Sequence, residues 1–365
     1  MGWRAVLLGA ALLCVEVASA YASEFVRPWR SKSTSLVVDA YVYTEFDWLK
    51  LVSNERLVGF IAKASDGRIT SARCQRGSKS KRQLCLAKWR RYVATKQLYR
   101  TRRLLAKTLG LKWGSYHLGR PGDPLEQARH YLRYADPQPD ELMALDIEDN
   151  DPKWMSLDDA DRFARYVERR TGRLPVLYTN HSTAKTIARS PARYPTLTRM
   201  NLWYARFKED VRGAFPMGRW RSYAIWQFQA KTNCRRSCAV RLKGTDKWMD
   251  VNVVNMPPER LRALWPLDAP LNVLPQATVA NDVTSKRAAA ESGRTAPKGP
   301  PTEGQILTAM AAAGLPRPSR LPVPRAAPGP ATAAGLGSDP LLFVKDDTGR
   351  SDAVSVVFKI VRRGR

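Results

Sequence analysis

Acidic residues are scarce in this 365-residue chain: 33 Asp and Glu stand against 61 Lys and Arg, for a formal net charge of +28. Such an excess says little about the fold, but it favours an anionic partner, namely an acidic cell-wall polymer, a membrane surface or nucleic acid. The basic residues are spread along the chain without a compact recognition motif, which argues against specific nucleic-acid binding. The charge therefore indicates an anionic wall or envelope surface.

Long apolar runs are also lacking. The stretch AVLLGAALLCV, which begins at residue 5, is too short to span a membrane comfortably. Arg4 precedes it and ASA at residues 18–20 follows it, which is the pattern of a cleavable signal peptide over residues 1–20. Leu13 stands before Cys14, where a lipoprotein signal has a small residue. We therefore expect an exported protein, periplasmic or secreted; the alternative is an uncleaved membrane anchor.

Cysteine is rare, with five residues in all, one of them inside the predicted signal peptide. The other four are an even number in an exported chain, which favours disulfides. Proximity favours the pairs Cys74–Cys85 and Cys234–Cys238, although three connectivities are possible. A zinc site is the alternative, and it is disfavoured because no histidine lies near either pair.

Residues that can be buried become scarce after Asp268. Pro, Ala, Ser, Thr and Gly dominate residues 269–337, which predicts a disordered linker. The basic segment 338–365 contains two short apolar runs that would make at most a marginal hairpin, and its role is not readable from sequence.

Residues 31–268 have the pattern of an α/β domain. Helical spacing marks QLCLAKWRRYVATKQLYRTRRLLAKTLG, PLEQARHYLRYA and SLDDADRFARYVERRTG, with Asp123 and Ser156 as N-cap residues. Strands alternating with helices predict a mainly parallel sheet, and eight strands favour a barrel, regular early and irregular late. The eight candidate strands are SLVVDAYV, RLVGFIAKA, LKWGSYHL, ELMALDIE, LPVLYT, NLWYARF, YAIWQFQ and KWMDVNVV.

The fourth strand ends in LMALDIEDN, with two carboxylates one residue apart. Because side chains alternate along a strand, Asp146 and Glu148 point to the same side, with Ile147 opposite. Two acids held close cannot both ionise freely, so one pKa rises, as a general acid requires. Alone, this pattern usually means surface charge.

Other strand ends carry the residue types of a carbohydrate site, since aromatic faces stack on sugar rings and polar groups bind hydroxyls. In barrels of this kind the functional residues lie at the C-terminal strand ends. Each aromatic residue alone is more often a core residue, so the joint occurrence is the argument. The set comprises Asp39, Tyr41 and Tyr43 in the first strand, Tyr116, His117 and Arg120 at the third, Tyr178 at the fifth, Trp203 at the sixth, Trp226 and Gln227 at the seventh, and Asp250 and Asn252 at the eighth.

In combination these motifs resemble the lysozymes of glycoside hydrolase family 25, the Chalaropsis type. The resemblance covers roughly residues 36–255 and runs in order through VVDAY, GFIAKASDG, GSYHLGRPGDPLEQARHYL, LDIEDN, RRTGRLPVLYTN, LWYARF, AIWQFQ and MDVNVVN. It implies a TIM-like irregular (β/α) barrel of about five β/α units and three further strands. It also implies a muramidase that cleaves peptidoglycan glycan strands between N-acetylmuramic acid and N-acetylglucosamine, with no metal or cofactor.

The resemblance also implies roles for single residues. Glu148 corresponds to the general acid, and Asp146 to a neighbouring carboxylate that assists or orients the substrate's acetamido group. Asp39 and Asp250 match the further acids of the site. Tyr116, Tyr178 and Trp203 match substrate-lining positions, and we add His117, Gln227 and Tyr41 to the predicted substrate-binding set. Retaining, inverting and substrate-assisted mechanisms all remain open.

The chain departs from the family in two places. Tyr41 and Tyr43 follow Asp39 where the family continues differently, and a basic insertion, RITSARCQRGSKSKRQLC, follows the second strand. The insertion is either a solvated surface loop or a basic segment that binds an anionic wall polymer. The altered first strand motivates an alternative, a non-catalytic peptidoglycan-binding protein on a decayed lysozyme scaffold. Retention of all four acids argues against it, because buried carboxylates cost desolvation energy.

Overall fold

The computed structural model describes residues 24–42, 44–67, 73–74, 77–234, 237–245, 248–271 and 308. The predicted signal peptide and the C-terminal segment 338–365 lie outside the described residues, as does most of the predicted linker. From residue 302 onward only Thr308 is described.

Eight strands close into a barrel in which each strand pairs with its neighbours in sequence order. β1 to β7 are parallel, whereas β8 is antiparallel to both β7 and β1. All eight predicted strands are present: β1 Ser35–Ala40, β2 Leu57–Asp66, β3 Lys112–Leu118, β4 Leu142–Ile147, β5 Val176–Asn180, β6 Leu202–Ala205, β7 Ile225–Gln229 and β8 Asp250–Val254.

Helices follow the early strands and are absent between the late ones within the described chain. One helix follows each of β1 to β5, so the predicted five β/α units and three further strands are confirmed. The helices are α1 Trp48–Val52, α2 Lys79–Thr108, α3 Pro124–Ala135, α4 Leu157–Thr171, α5 His181–Arg189 and, after β8, α6 Pro258–Leu264. Short 3-10 turns cover Pro28–Arg30, Leu197–Arg199 and Lys231–Asn233.

The predicted N-caps form as expected. The Asp123 side chain accepts hydrogen bonds from the N–H groups of Leu125 and Glu126, with Pro124 at the first helical position, so α3 begins where the sequence indicates. The Ser156 hydroxyl oxygen accepts from the N–H of Asp159 and starts α4 in the same way.

Two apolar layers follow from the alternation of side chains along the strands. One lies between strands and helices, and the other fills the barrel interior. The interior is closed at the N-terminal strand ends by Trp265, whose Nε1 donates to the Trp113 carbonyl at 2.9 Å. A Cβ at Gly59 would lie 2.7 Å from the Trp265 ring, so the close approach requires glycine there. The opposite end of the barrel is left for polar side chains.

Two disulfides fasten loops beside the barrel. Cys74 is bonded to Cys85 of α2, and Cys234 to Cys238 in the segment between β7 and β8, as proximity predicted. No helix among the described residues combines the length and apolar content needed to cross a membrane.

Candidate active site

A cleft of about 680 Å³ opens at the C-terminal ends of the parallel strands. The antiparallel β8 contributes its first residue to the same rim, because it runs the opposite way. All four predicted acids line the cleft, together with three predicted aromatic residues and one predicted amide: Asp39, Asp146, Glu148 and Asp250, then Tyr116, Tyr178, Trp203 and Gln227.

Asp39 is held by two amide side chains. Asn252 Nδ2 and Gln227 Nε2 donate to the same carboxylate oxygen, Oδ1, at 2.7 and 3.1 Å. Burial raises the pKa of Asp39 to about 6; the two amide donors oppose that rise, and the charge of Glu148 adds to it. The second oxygen is left for other partners.

Two aromatic residues orient these amides. Tyr178 OH donates to Gln227 Oε1 at 2.8 Å, and Trp203 Nε1 donates to Asn252 Oδ1 at 2.6 Å. Each amide has its oxygen occupied in this way, so its N–H groups face Asp39. Tyr178 and Trp203 therefore act as more than cleft walls, since they fix the donors around a buried carboxylate.

Asp146 and Glu148 occupy different depths. Asp146, the fifth residue of β4, is 6 % exposed, and among the described residues its Oδ1 has no hydrogen-bond partner. Glu148 lies just past the strand and is exposed at the cleft. Burial, then the charge of Glu148, raises the pKa of Asp146 well above its ordinary value. The pKa of Glu148 is also raised, chiefly because surrounding protein displaces water.

Two cations, Lys63 and Arg120, lie next to these acids and oppose the rise in their pKa values. Lys63 Nζ lies 2.8 Å from Asp66 Oδ2, and Arg120 Nε lies 3.0 Å from Asp66 Oδ1. The charges of Lys63 and Arg120 lower the pKa of both Asp146 and Glu148. Lys63 was not predicted as a site residue, although a lysine within the apolar run of β2, in KASDG, was a readable signal.

The pKa of Asp250 is raised further than that of Asp39. Burial, followed by the charges of Asp39 and Glu148, raises its pKa to about 8, while the backbone N–H of Lys231 opposes the rise. Burial thus favours the protonated form of both aspartates, and the two amide donors of Asp39 favour its ionised form more than the single N–H of Lys231 favours that of Asp250.

The two cleft tyrosines remain protonated donors. Burial first, and then the charges of the four acids, raises the pKa of Tyr116 and of Tyr178 well above the ordinary value. Their hydroxyl groups can therefore donate hydrogen bonds at any pH at which the acids work.

His117 is not brought into the cleft. It neighbours Tyr116 on β3, and side chains alternate, so His117 faces the helices. Its Nδ1 lies 2.8 Å from Ser65 Oγ, its Nε2 lies 3.2 Å from Gln127 Oε1, and its ring stacks on Phe163. Burial lowers its pKa to about 3, so the imidazole is neutral. The predicted substrate-binding role of His117 is corrected by this placement.

Tyr41 lies beside the cleft without lining it. Its ring is 43 % exposed, Lys63 Nζ lies 5.1 Å from the ring centroid, and Arg102 Nη1 donates to its carbonyl at 3.0 Å. Tyr41 thus touches the cation next to Asp146 and Glu148, while its neighbour Tyr43 lies outside the described residues.

Several cleft residues come from positions that sequence patterns do not mark. Of these, Asn180 and Ala205 end β5 and β6, His181 and Ser182 begin α5, and Arg206, Phe207, Lys208, Ala230, Lys231 and Thr232 follow β6 and β7. Asn252, noted only as a neighbour of Asp250, is a direct partner of Asp39. In the part of the chain that the structure describes, no group of three or more His, Cys, Asp or Glu side chains is arranged to hold a metal ion.

Comparison with protein families supports the predicted resemblance. The model of glycosyl hydrolases family 25 matches residues 92–236, from within α2 to the segment after β7. This stretch includes Asp146 and Glu148, whereas Asp39 and Asp250 lie on either side of it. The resemblance to family 25 is confirmed over these residues.

Solved structures with a similar course of the chain include a muramidase from Acremonium alcalophilum (20% identity, 63% of this chain and 98% of that one, TM-score 0.43). A bacterial lysozyme from Streptomyces coelicolor shows 19% identity, over 64% of this chain and 98% of that one, with a TM-score of 0.41. A family GH25 lysozyme from Aspergillus fumigatus shows 20% identity, over 65% of this chain and 100% of that one, with a TM-score of 0.41. Comparison with curated proteins finds no match.

Proposed function

We propose that this chain, which carries a glycosyl hydrolase family 25 domain, is an exported muramidase. It hydrolyses the bond between N-acetylmuramic acid and N-acetylglucosamine in peptidoglycan. The observation that carries the proposal is the meeting of four carboxyl groups with aromatic and amide side chains in one cleft. A structural role would not explain four carboxyl groups kept together at the cost of raised pKa values.

Glu148 is proposed as the general acid. It is exposed at the cleft, where a glycosidic oxygen can reach it, and its raised pKa keeps more of it protonated than an ordinary glutamate. Asp146 lies deeper, with one oxygen lacking a partner among the described residues. In this proposal it orients the acetamido group of the substrate while Glu148 protonates the leaving oxygen.

Asp39 and Asp250 complete the proposed site. Asp39, whose charge two amide donors stabilise, would stabilise the positive charge that develops on the sugar ring in the transition state. Asp250, whose pKa burial raises, would in its protonated form donate a hydrogen bond to the bound sugar. Tyr116 supplies a further donor from β3, while the Tyr178 hydroxyl remains the donor to Gln227.

Export and domain limits are part of the proposal. Peptidoglycan lies outside the cytoplasm, two disulfides fasten the barrel loops, and the first residues have the signal-peptide pattern, all of which support export. Residues 31–268 would form the catalytic domain, residues 269–337 a linker and residues 338–365 an appended basic segment.

The test is an analysis of the ends that the protein creates. The mature protein is incubated with purified peptidoglycan, the products are reduced with borohydride, and mass spectrometry identifies the reduced sugar. We expect reduced muramic acid ends, lost in Glu148→Gln and retained in Glu259→Gln, an exposed control on α6 at the far end of the barrel. Circular dichroism checks that both variants fold. Intact glycan with strong binding would instead support the non-catalytic scaffold.

A further inference from the structure

Acidic and basic side chains line different sides of the cleft. Its acids come from β1, β4 and β8, whereas three cations line it from the chain just after β6 and β7: Arg206, Lys208 and Lys231. β6 and β7 are neighbours in the barrel, so these residues share one side. We call Arg206, Lys208 and Lys231 the cationic wall.

The acids adjacent to Lys208 in sequence do not neutralise it. Glu209 pairs with Arg27 at 2.7 Å, and Asp210 pairs with Arg212 at 2.6 Å. Lys208 itself is exposed and forms no ion pair within the described residues. Its charge is therefore available to a molecule in the cleft.

The backbone of Arg206 is held by two hydrogen bonds, whereas its side-chain Nε has no hydrogen-bond partner among the described residues. Its carbonyl accepts from Trp226 Nε1 at 2.8 Å, and its N–H donates to the Gln227 carbonyl at 3.1 Å. Its Nε is buried and finds no hydrogen-bond acceptor among the residues described. The guanidinium forms no ion pair within the described residues, and a guanidinium at a cleft binds carboxylates through paired donors.

Lys231 joins the wall to the acids. Its backbone N–H donates to the Asp250 carboxyl group, and its side chain lies over the exposed ring of Trp248, with Nζ 5.8 Å from the centroid. The Cys234–Cys238 disulfide follows directly and closes the loop. The ammonium group is thus placed near Asp250 while still exposed to solvent.

We infer that the cationic wall binds a carboxylate carried by the substrate next to the sugar being cleaved. The inference rests on the proposed function and extends it to specificity, favouring acidic glycan over uncharged glycan. The sugar backbone of peptidoglycan is uncharged, so its carboxylates belong to the attached peptide or, where the peptide has been removed, to the lactyl group of muramic acid. Opposite charges placed in this way set orientation and selectivity more than total affinity.

Binding is the first readout, so that the inference is tested even if turnover fails. The ligands are a peptide-bearing muropeptide tetrasaccharide, the same glycan with the peptide removed by an amidase, and both after carbodiimide coupling to ethanolamine, which neutralises carboxylates. Dissociation constants are measured by calorimetry in the Glu148→Gln background, to prevent cleavage. Turnover of the same four ligands by the unsubstituted protein is measured in parallel.

We expect the carboxylate-bearing ligands to bind roughly tenfold more tightly than their neutralised forms, as three partly exposed charge contacts would give. The double substitution Lys208→Gln with Lys231→Gln should bring that ratio to within about twofold of one. Gln at position 231 keeps the backbone bond to Asp250. The matched control, Lys79→Gln with Lys88→Gln, changes net charge equally on exposed positions of α2 and should retain the ratio.

The two arms identify which carboxylate is bound. The amidase hydrolyses the amide that joins the peptide to the lactyl group, so it removes the peptide carboxylates and frees the lactyl carboxylate. A preference shown only by the amidase-treated glycan assigns the lactyl carboxylate, one shown only by the peptide-bearing glycan assigns the peptide carboxylates, and one shown by both means that the cationic wall accepts either. Equal affinity for charged and neutralised ligands, or an equal loss in the control pair, would overturn the inference. Failure of the proposed function is separate, since it would appear as absent turnover of all four ligands whatever their affinities.

Discussion

Replacing Asp39 with Asn should make the protein gain stability relative to the unsubstituted chain as pH rises. Both amide donors reach the same oxygen of Asp39, so an Asn can present its own oxygen to them and keep both hydrogen bonds. Its amide nitrogen then faces the cleft. The substitution removes the ionisable group with little change in packing.

The magnitude follows from the pKa of Asp39, which burial raises from 3.8 to about 6. Well below pH 3.8 the folded and unfolded chains both hold the proton, so Asp39 does not lower the free energy of unfolding there. Between about pH 4 and 6 the folded chain keeps a proton that the unfolded chain releases, so the free energy of unfolding falls as pH rises. Two pH units correspond to about 3 kcal/mol.

The assay is urea unfolding followed by tryptophan fluorescence at several pH values from 4 to 7.5. The free energy of unfolding of Asp39→Asn, relative to the unsubstituted protein, should increase by roughly 2 kcal/mol across this range, because part of the total change lies below pH 4. Loss of the Asp39 charge also lowers the pKa of Asp250, which acts in the same direction. Asp151→Asn, on an exposed loop, controls for general charge effects. If the difference in the free energy of unfolding between Asp39→Asn and the unsubstituted chain did not change with pH, burial would not raise the pKa of Asp39.

Three further outcomes follow from particular contacts. Replacing Cys74 and Cys85 by Ser removes a cross-link over 11 residues and should lower the free energy of unfolding in urea by up to about 3 kcal/mol, so an unchanged value would contradict it. Trp203→Phe leaves the Asn252 oxygen without its buried donor and should cost about 1–3 kcal/mol in the same assay, whereas a neutral effect would mean that the donor is dispensable. The imidazole signals of His117 in NMR spectra should stay constant between about pH 5 and 8, because burial lowers its pKa to about 3; titration in that range would disprove its burial.

The barrel was predictable because its strands are continuous apolar runs and its early helices have strong periodic patterns and caps. The three short helices α1, α5 and α6 were not predicted from their residue patterns, since fewer than three turns carry little periodic signal. The direction of β8 was also not readable, because its pairing depends on barrel closure rather than on its own residues.

The site was predictable where chemistry coincides with a strand, as for Asp39, Asp146 and Asp250. His117 was assigned to the site wrongly. Its neighbour Tyr116 faces the cleft, and because side chains alternate along a strand, His117 faces the helices instead. Arg206, Lys208 and Lys231 lie in loops, whose positions are set by contacts distant in sequence. The basic insertion is only partly described; its last residues form the exposed first turn of α2.

In the proposed mechanism Glu148 donates a proton to the leaving oxygen. A general acid matters only when the leaving group needs that proton, so Glu148→Gln should behave differently with two kinds of substrate. On peptidoglycan we expect turnover to fall by roughly a thousandfold.

The most direct measurement is therefore turnover of a 2,4-dinitrophenyl β-glycoside of N-acetylmuramic acid by Glu148→Gln and by the unsubstituted protein. Dinitrophenolate leaves without protonation, so the first cleavage step should proceed at nearly equal rates in the two proteins. An equally large loss on this activated substrate would contradict the assignment of Glu148 as the general acid.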